Sequence, residues 1–543
     1  MDKQVEAHFD VLVIGGGAAG LSAALAAVES GARVAVMGKT YPTRSQTSMA
    51  QGGINAALGH MGDGDTAQKH IADTLRSSKT LGSEAAIRRL CEGAPTAIAW
   101  LDGLGVPFSR LEDGRIAQRR LGGASGRRAC YAQDYTGLKL LHTLYDAALK
   151  AGVTFLDEYF LLNFIVENKR ALGATAIEMR SGRTVAFGAN AVVAATGGYA
   201  GLYRGFTTNA ATTTGDGTAA ALRAGCRLKD LEFVQFHPTA LKGSGVLISE
   251  SARGAGGRLV NGKGESFVDE LATRDEIARA IWEQMEAGEE VFLDIRHLGE
   301  AFIDEELPQE RKLAIFYEGV DPARNLIPVK PVAHYTMGGI AVDGNHMSDV
   351  AGLFACGECA NAEVHGANRL GGNALLETVV FGREAGANAV VFARQNPASA
   401  KGHPQIMKDS AFVRAVFDFP NRIDFYEKRA FLGKIFYHNA GIVRSEAGLK
   451  GVLSALRQMQ SELAFMGVAD KSAVYNTNLT EFVEFGNMLE LAEALLVCAL
   501  HRPETRGAHQ RAEFTKENPD FDGVHSLSWK EEGTLCNEMK GLK

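Results

Sequence analysis

The sequence predicts an α/β fold. A Rossmann-like dinucleotide-binding domain is discontinuous along the chain, with an α+β capping domain inserted into it, followed by a helical domain and a short C-terminal tail. Three segments carry that prediction. FDVLVI at 9–14 runs through Gly15-Gly16-Gly17-Ala18-Ala19-Gly20 into LSAALAAVESG and then RVAVM. ANAVVAATGG at 189–198 and GLFACGECA at 352–360 are two further buried strands that end in glycine turns. Strands from such distant segments meeting at one nucleotide site are expected of a large dinucleotide-binding fold in which another domain is inserted between them.

A glycine-rich turn alone is a weak signal, but between a strand and a helix it is strong. Its glycines let the backbone approach a pyrophosphate, whose charge then rests on the helix N-terminus. The acid that usually binds a ribose after the second strand is absent. Met37-Gly38-Lys39 stands there, which disfavours a simple nicotinamide dehydrogenase. TRSQTSMAQGG follows at 43–53, and Thr214-Gly215-Asp216-Gly217 follows the second buried strand.

Composition sets the outer limits. With 543 residues, 46% hydrophobic and 22% charged, the chain reads as three or four globular units with a large core. A net charge of −7 without a long basic run gives no case for nucleic acid. No apolar run approaches the roughly 20 residues that span a bilayer. MDKQVEAHFD leads directly into a strand without a signal peptide, and the seven cysteines are scattered and odd in number. The expected location is cytoplasmic, or peripheral on the cytoplasmic face of a membrane through partner subunits. Cys356-Gly357-Glu358-Cys359 has no second pair at metal-like spacing and reads as structural thiols; no metal site is expected. Arg115, Arg119, Arg120, Arg127 and Arg128 form a local basic group, read as a steering surface for anions or a solvated face.

RSQTSMAQGGINAAL, CYAQDYTG, TGDG, EFVQFHPTAL, ISESARGAGG, ELATRDEIARA, PVAHYTMGGI, HGANRLGGNALLE and RPETRGAHQR are far more specific together than singly. With them, nearly the whole chain resembles the flavoprotein subunit of the succinate dehydrogenase/fumarate reductase family. The resemblance implies FAD, a four-carbon dicarboxylate (fumarate/succinate) and two-electron chemistry at a carbon–carbon bond. It implies FAD contacts from Gly15, Gly16, Gly17, Ala18, Gly20, Lys39, Ser45, Gln46, Thr47, Gln51, Gly52, Gly53, Asp216, Glu358, Arg369, Ala374 and Leu375. It also places the FAD domain at 1–238 and 334–400, the cap at 239–333, the helical domain at 405–505 and the tail at 506–543.

A dicarboxylate needs donors at both ends. His237, Ser249, His334 and Arg369 match the family's substrate positions, although a lone histidine beside proline is more often structural. Arg274 matches the acid that protonates the substrate carbon, and Glu250 and Arg253 match the relay that resupplies its proton. Thr273 and Glu276 read as a T-x-x-E capping box that starts a helix at Arg274. Leu121 replaces an aromatic that the family often has.

Gln46 occupies the X of RSXT, where most of the family carries a histidine bonded covalently to the flavin. A carboxamide predicts non-covalent FAD, a weaker oxidant, and hence fumarate reduction over succinate oxidation. The chain carries no ferredoxin-type cysteine run and no haem C-x-x-C-H. The resemblance therefore implies an iron–sulfur subunit as partner, with a membrane-anchor or quinone-linked subunit beyond it. The alternatives are succinate dehydrogenase, L-aspartate oxidase (whose FAD is not covalent either) and, from another class, a non-catalytic flavin electron-transfer module. Retention of Arg274, Arg369, His237 and His334 disfavours the last, because an electron conduit needs none of them.

Overall fold

The computed structural model of the protein describes residues 5–541. Val5–Ile14 is buried on both faces over Val11–Ile14, as a parallel strand covered by helices must be. It pairs in parallel with Val34–Gly38 on one side and Arg183–Ala194 on the other, and Thr154–Asp157 extends the sheet beyond Val34–Gly38. Arg183–Ala194 forks. Its first half pairs antiparallel with Arg170–Glu178, which forms a hairpin with Tyr159–Glu167, and its last residues pair in parallel with Leu353–Ala355. The three strands named by the sequence thus lie side by side at the sheet's centre.

The helix Ala18–Glu29 is buried from Ala18 to Ala27 and packs on the helix Asn373–Gln395. Gly382 and Gly386, one turn apart, permit that approach. A Cβ at either would lie 2.7 Å from Ala19 O and 2.1 Å from Ala23 O, so any side chain would force the helices apart.

Val234–Leu241 leaves this core and pairs antiparallel with Ile327–Thr336; Val291–Asp294 and Arg258–Asn261 continue that sheet. The sheet and the helix Arg274–Glu286 enclose a separate core that includes Leu241, Ile248, Ile277, Ile281 and Leu293. The two long strands carry His237 and His334 where this small unit meets the large one.

Helices Pro404–Asp418, Phe425–Asn439, Glu446–Glu462 and Thr477–His501 follow. The last is buried along most of its length and packs on Asp216–Arg223. The segment after 506 is more than a trailing tail. Gln510–Arg511 pairs with Val443–Arg444, and the hairpin Val524–Glu531/Thr534–Gly541 joins a five-stranded sheet through Leu228–Lys229. Fully buried charges hold it there: Arg502 donates to Glu232 at 2.6 Å and to Glu504 at 3.0 Å, and Arg506 donates to Glu504 at 2.9 Å. The RPETRGAHQR motif is therefore structural. Among the described residues no helix is long and apolar enough to cross a membrane.

Candidate active site

A cleft lies between the glycine turn, the cap strands and the N-terminus of Asn373–Gln395. Its lining includes Gly15, Gly16, Gly17, Ala18, Lys39, Ser45, Gln46, Thr47, Gln51, Gly52, Gly53, Asp216, Glu358, Ala374 and Leu375 from one set of expectations. From the other it includes His237, Ser249, Glu250, Arg274, His334 and Arg369. Gly20 and Arg253 stand behind the wall. Gly20 backs the turn, where a Cβ would lie 1.9 Å from Gly15 O, and Arg253 is buried behind Glu250.

The glycine turn is sterically obligatory. Gly15 has φ +111°, and a Cβ on it would lie 2.1 Å from Ala195 O at the end of the neighbouring strand. Ala18 N–H, in the first turn of the helix, donates to Thr47 Oγ1 at 3.1 Å, which ties the RSQT segment to the helix start. Both ends of the buried Gln51 carboxamide lack a partner, as do Ser45 Oγ and Thr196 Oγ1. Buried polar atoms are normally satisfied, so orphans along a dinucleotide turn fit a large polar cofactor such as FAD.

Lys39 replaces the expected acid by recruiting acids from elsewhere. Its Nζ lies 2.6 Å from Asp216 Oδ2, 2.6 Å from Glu484 Oε1 and 2.9 Å from Thr214 Oγ1. Burial works against its charge, but the two carboxylates outweigh it and raise its pKa. Asn487 holds the other oxygen of Asp216 at 2.8 Å. Sequence reading missed Glu484 and Asn487, which lie on a helix hundreds of residues away and carry no local signal. Glu358 accepts from Thr336 N at 2.9 Å, and burial lifts its pKa to about 7. Its neighbours Cys356 and Cys359 are buried free thiols that donate to Ala19 O and Ala194 O.

On the opposite wall, strand alternation places Gln235, His237 and Thr239 on one face of Val234–Leu241. Gln235 is fully buried. Its Oε1 accepts from Arg274 Nη1 at 3.1 Å and Arg369 Nη2 at 3.0 Å, while its Nε2 donates to Asn368 Oδ1 and Arg369 O at 2.8 Å. It was missed as a site residue although it lies two residues from His237 in a recognised motif. Arg369 also lies over the Tyr335 ring at 4.4 Å and keeps a buried Nε without a partner. Burial, then Arg274, push its pKa down to about 9. His237 and His334 are 4.9 Å apart between ring centres. Burial with Arg274 nearby holds both well below 6.5, so both are neutral at pH 7. Thr239 N–H donates to His237 Nδ1 at 3.2 Å, which puts the ring proton of the neutral form on Nε2. Ser249 Oγ accepts from Ser251 N and Ser251 Oγ and keeps its own hydrogen to donate. Behind Ser249, the buried Glu310 accepts its N–H at 2.9 Å.

Arg274 is the first residue of its helix, as the sequence predicts. The capping-box expectation needs correction. Thr273 sits at the N-cap, but its buried hydroxyl makes no cap bond and has no partner. Arg274 is aimed by side chains instead: Nη2 meets Glu250 Oε2 at 2.7 Å and Nη1 meets Gln235. Glu250 Oε1 accepts from Gly122 N at 3.0 Å and lies 3.6 Å from Arg253 Nη2. Burial raises the Glu250 pKa, but Arg274 and Arg253 outweigh it and the carboxylate stays ionised.

Three of the five arginines at 115–128 are paired with acids, and Arg119 and Arg120 donate to backbone carbonyls. Arg128 is buried between Asp65 and Asp73, Arg127 faces Asp63, Arg115 faces Asp113, and Arg119 donates to Gly52 O and Gln51 O. Leu121 is buried and lines the cleft beside Gly52.

The family model described as "FAD binding domain" matches residues 10–375, and "Fumarate reductase flavoprotein C-term" matches 429–540. A succinate dehydrogenase flavoprotein subunit of Rickettsia bellii is 39% identical over 98% of this chain and 97% of its own. The chain belongs to the succinate dehydrogenase/fumarate reductase flavoprotein family. It is an FAD-dependent oxidoreductase of that family. A fumarate reductase flavoprotein subunit of Haemophilus influenzae is 36% identical over 97% of this chain and 92% of its own. In three dimensions the flavoprotein of E. coli quinol fumarate reductase superposes with a TM-score of 0.94 at 36% identity, over 98% of this chain and 97% of that one. Relatives in the family carry both names, succinate dehydrogenase and fumarate reductase.

Proposed function

We propose that this chain interconverts fumarate and succinate in the cleft between the cap sheet and the FAD domain, and works as a fumarate reductase. The observation that carries this reading is a charge count. Arg274 and Arg369 on the cleft wall and Arg253 behind it are buried around one ionised carboxylate, Glu250, so the site carries an excess of positive charge. A dicarboxylate dianion matches that excess. The depressed pKa of Arg369 and its orphan Nε are what a clamp lacking its anion shows. Neutral His237, His334 and the free hydrogen of Ser249 supply further donors.

FAD bound against the glycine turn supplies the two-electron chemistry. The chain's own residues do the rest. Arg369, His237, His334 and Ser249 hold the substrate and stabilise negative charge that develops on its clamped carboxylate. Arg274 delivers a proton from a guanidinium nitrogen to the substrate carbon. A guanidinium is a poor acid in water, so tight aim and immediate resupply are essential. The Glu250 carboxylate, 2.7 Å from Arg274, passes on to it a proton that it takes from Arg253, 3.6 Å away on its other side, and Arg253 is reprotonated in turn by a proton from solvent. Succinate oxidation retraces the same path.

Gln46 supports non-covalent FAD, and its carboxamide is already engaged elsewhere, with Oε1 accepting from Ala210 N–H at 2.8 Å. A flavin without an 8α substituent is the weaker oxidant, which favours the reducing direction. The likeness to a quinol fumarate reductase supports a quinol-linked electron path; to this the proposal adds an iron–sulfur subunit as electron partner and a peripheral place at the cytoplasmic face of the membrane. One anaerobic experiment tests the core of the reading: dithionite-reduced, FAD-loaded chain is mixed with fumarate. Rapid return of the oxidised flavin spectrum is expected; a flavin that stays reduced refutes it. Acid precipitation, expected to release all the flavin into the supernatant, tests the non-covalent attachment.

A further inference from the structure

His334 and His237 face the same cleft, but their rings are fixed by different means. A backbone N–H can only donate, so Thr239 leaves His237 a single neutral tautomer. At His334, Nδ1 meets the Thr208 hydroxyl at 2.7 Å, and a hydroxyl can give or take. The surroundings decide which. Asn209 Nδ2 donates to Thr208 Oγ1 at 3.5 Å while also donating to His334 O at 2.7 Å. Thr208 N–H is engaged with Ala333 O. Of these two contacts of the hydroxyl, only His334 Nδ1 can accept its hydrogen, since Asn209 Nδ2 is a donor, and the ring proton therefore falls on Nε2. The loop is pinned at both ends, by Thr207 Oγ1 on Ala333 O at 2.9 Å and by Gln46 Oε1 on Ala210 N at 2.8 Å.

We propose that Thr208, carried on a loop braced by Gln46, selects the ring tautomer of His334 that donates from Nε2 into the cleft. The choice matters because His334 is neutral and has only one N–H. In the other tautomer a ring lone pair would face a substrate carboxylate and repel it. Thr208 and Gln46 are positioning residues. Through them the residue at the flavin edge, where the family's usual covalent histidine is missing, reaches the substrate histidine. The inference rests on reading the cleft as a dicarboxylate site.

The test uses the FAD-loaded chain labelled with ¹⁵N-histidine, read by ring-nitrogen NMR, with succinate affinity read from perturbation of flavin absorption. In the wild type, His334 should show a protonated Nε2 and a bare Nδ1. Thr208→Val should mix the tautomers and weaken succinate about tenfold, the worth of one lost hydrogen bond. Thr208→Ser should restore both. Gln46→Leu should act in the same direction, and Gln46→Glu, which keeps an acceptor for Ala210 N–H, should restore the tautomer. An Nδ1-protonated wild type, or Thr208→Val with either the tautomer or the affinity unchanged, overturns the proposal. A wild type that binds no succinate refutes the dicarboxylate reading instead, because NMR without ligand still decides the tautomer.

Discussion

Replacing Glu250 by Gln changes one atom in the relay and removes both its charge and its proton capacity. The carboxylate lies 2.7 Å from Arg274 and 3.6 Å from Arg253, fully enclosed. If it resupplies the proton that Arg274 delivers, its loss removes a positioned acid–base step. Such steps contribute about 10²–10⁴-fold, or roughly 2.7–5.4 kcal/mol of barrier. Glu250 does not itself hold the substrate clamp: Arg369 is held by Gln235, which also holds Arg274, and by Tyr335. Succinate affinity should therefore change far less than rate. The assay is stopped-flow reoxidation of the dithionite-reduced flavin by fumarate, with succinate binding measured in parallel. Breaking a buried pair costs about 3–5 kcal/mol of stability, so folded fraction and flavin content are measured on the same sample. A folded, flavin-loaded Glu250→Gln enzyme that reoxidises within about threefold of the wild type would refute the relay.

Glu310, whose pKa burial and then Asp134 raise from 4.5 to about 8, gives a pH prediction. The folded chain holds this proton where the unfolded chain has lost it, so stability should fall as pH rises from about 4.5 to 8. Its contribution is up to roughly 5 kcal/mol at about 1.4 kcal/mol per pH unit. Glu310→Gln should flatten urea midpoints across that range, and an unchanged slope counts against it. Lys39→Met leaves Asp216 and Glu484 without the ammonium between them and should weaken FAD binding at least tenfold (about 1.4 kcal/mol), read by fluorescence titration of flavin-free chain. Glu504→Gln, which breaks the fully buried contacts to Arg502 and Arg506, should cost about 3–5 kcal/mol in denaturant unfolding without altering the cleft.

The glycine turn, the three central strands and the charged residues lining the cleft were legible in the sequence. They sit in short motifs whose residue types follow from what they hold. What escaped reading lies in relations between motifs. Gln235 was in plain view, but its use, one carbonyl oxygen shared by two arginines, exists only when 235, 274 and 369 converge. Glu484 and Thr208 are ordinary residues until Lys39 and His334 fold onto them. The T-x-x-E pattern located the helix start correctly and misattributed its cause: Arg274 is aimed by Glu250 and Gln235. The arginines of 115–128 looked like a surface because their acids, Asp63, Asp65 and Asp73, lie some fifty residues upstream.

The Lys39 ion cluster also sets a timetable for biosynthesis. Its lysine and Glu484 are 445 residues apart in the chain. At synthesis rates of roughly 5–20 residues per second, about 20–90 s separate their emergence from the ribosome. The nucleotide turn is thus made well before the acid and helix that complete its surroundings. Throughout that interval the nascent chain carries a glycine turn and a lysine without its distant partner. The Lys39 side of the cleft is complete only once Glu484 has been made and its helix has docked.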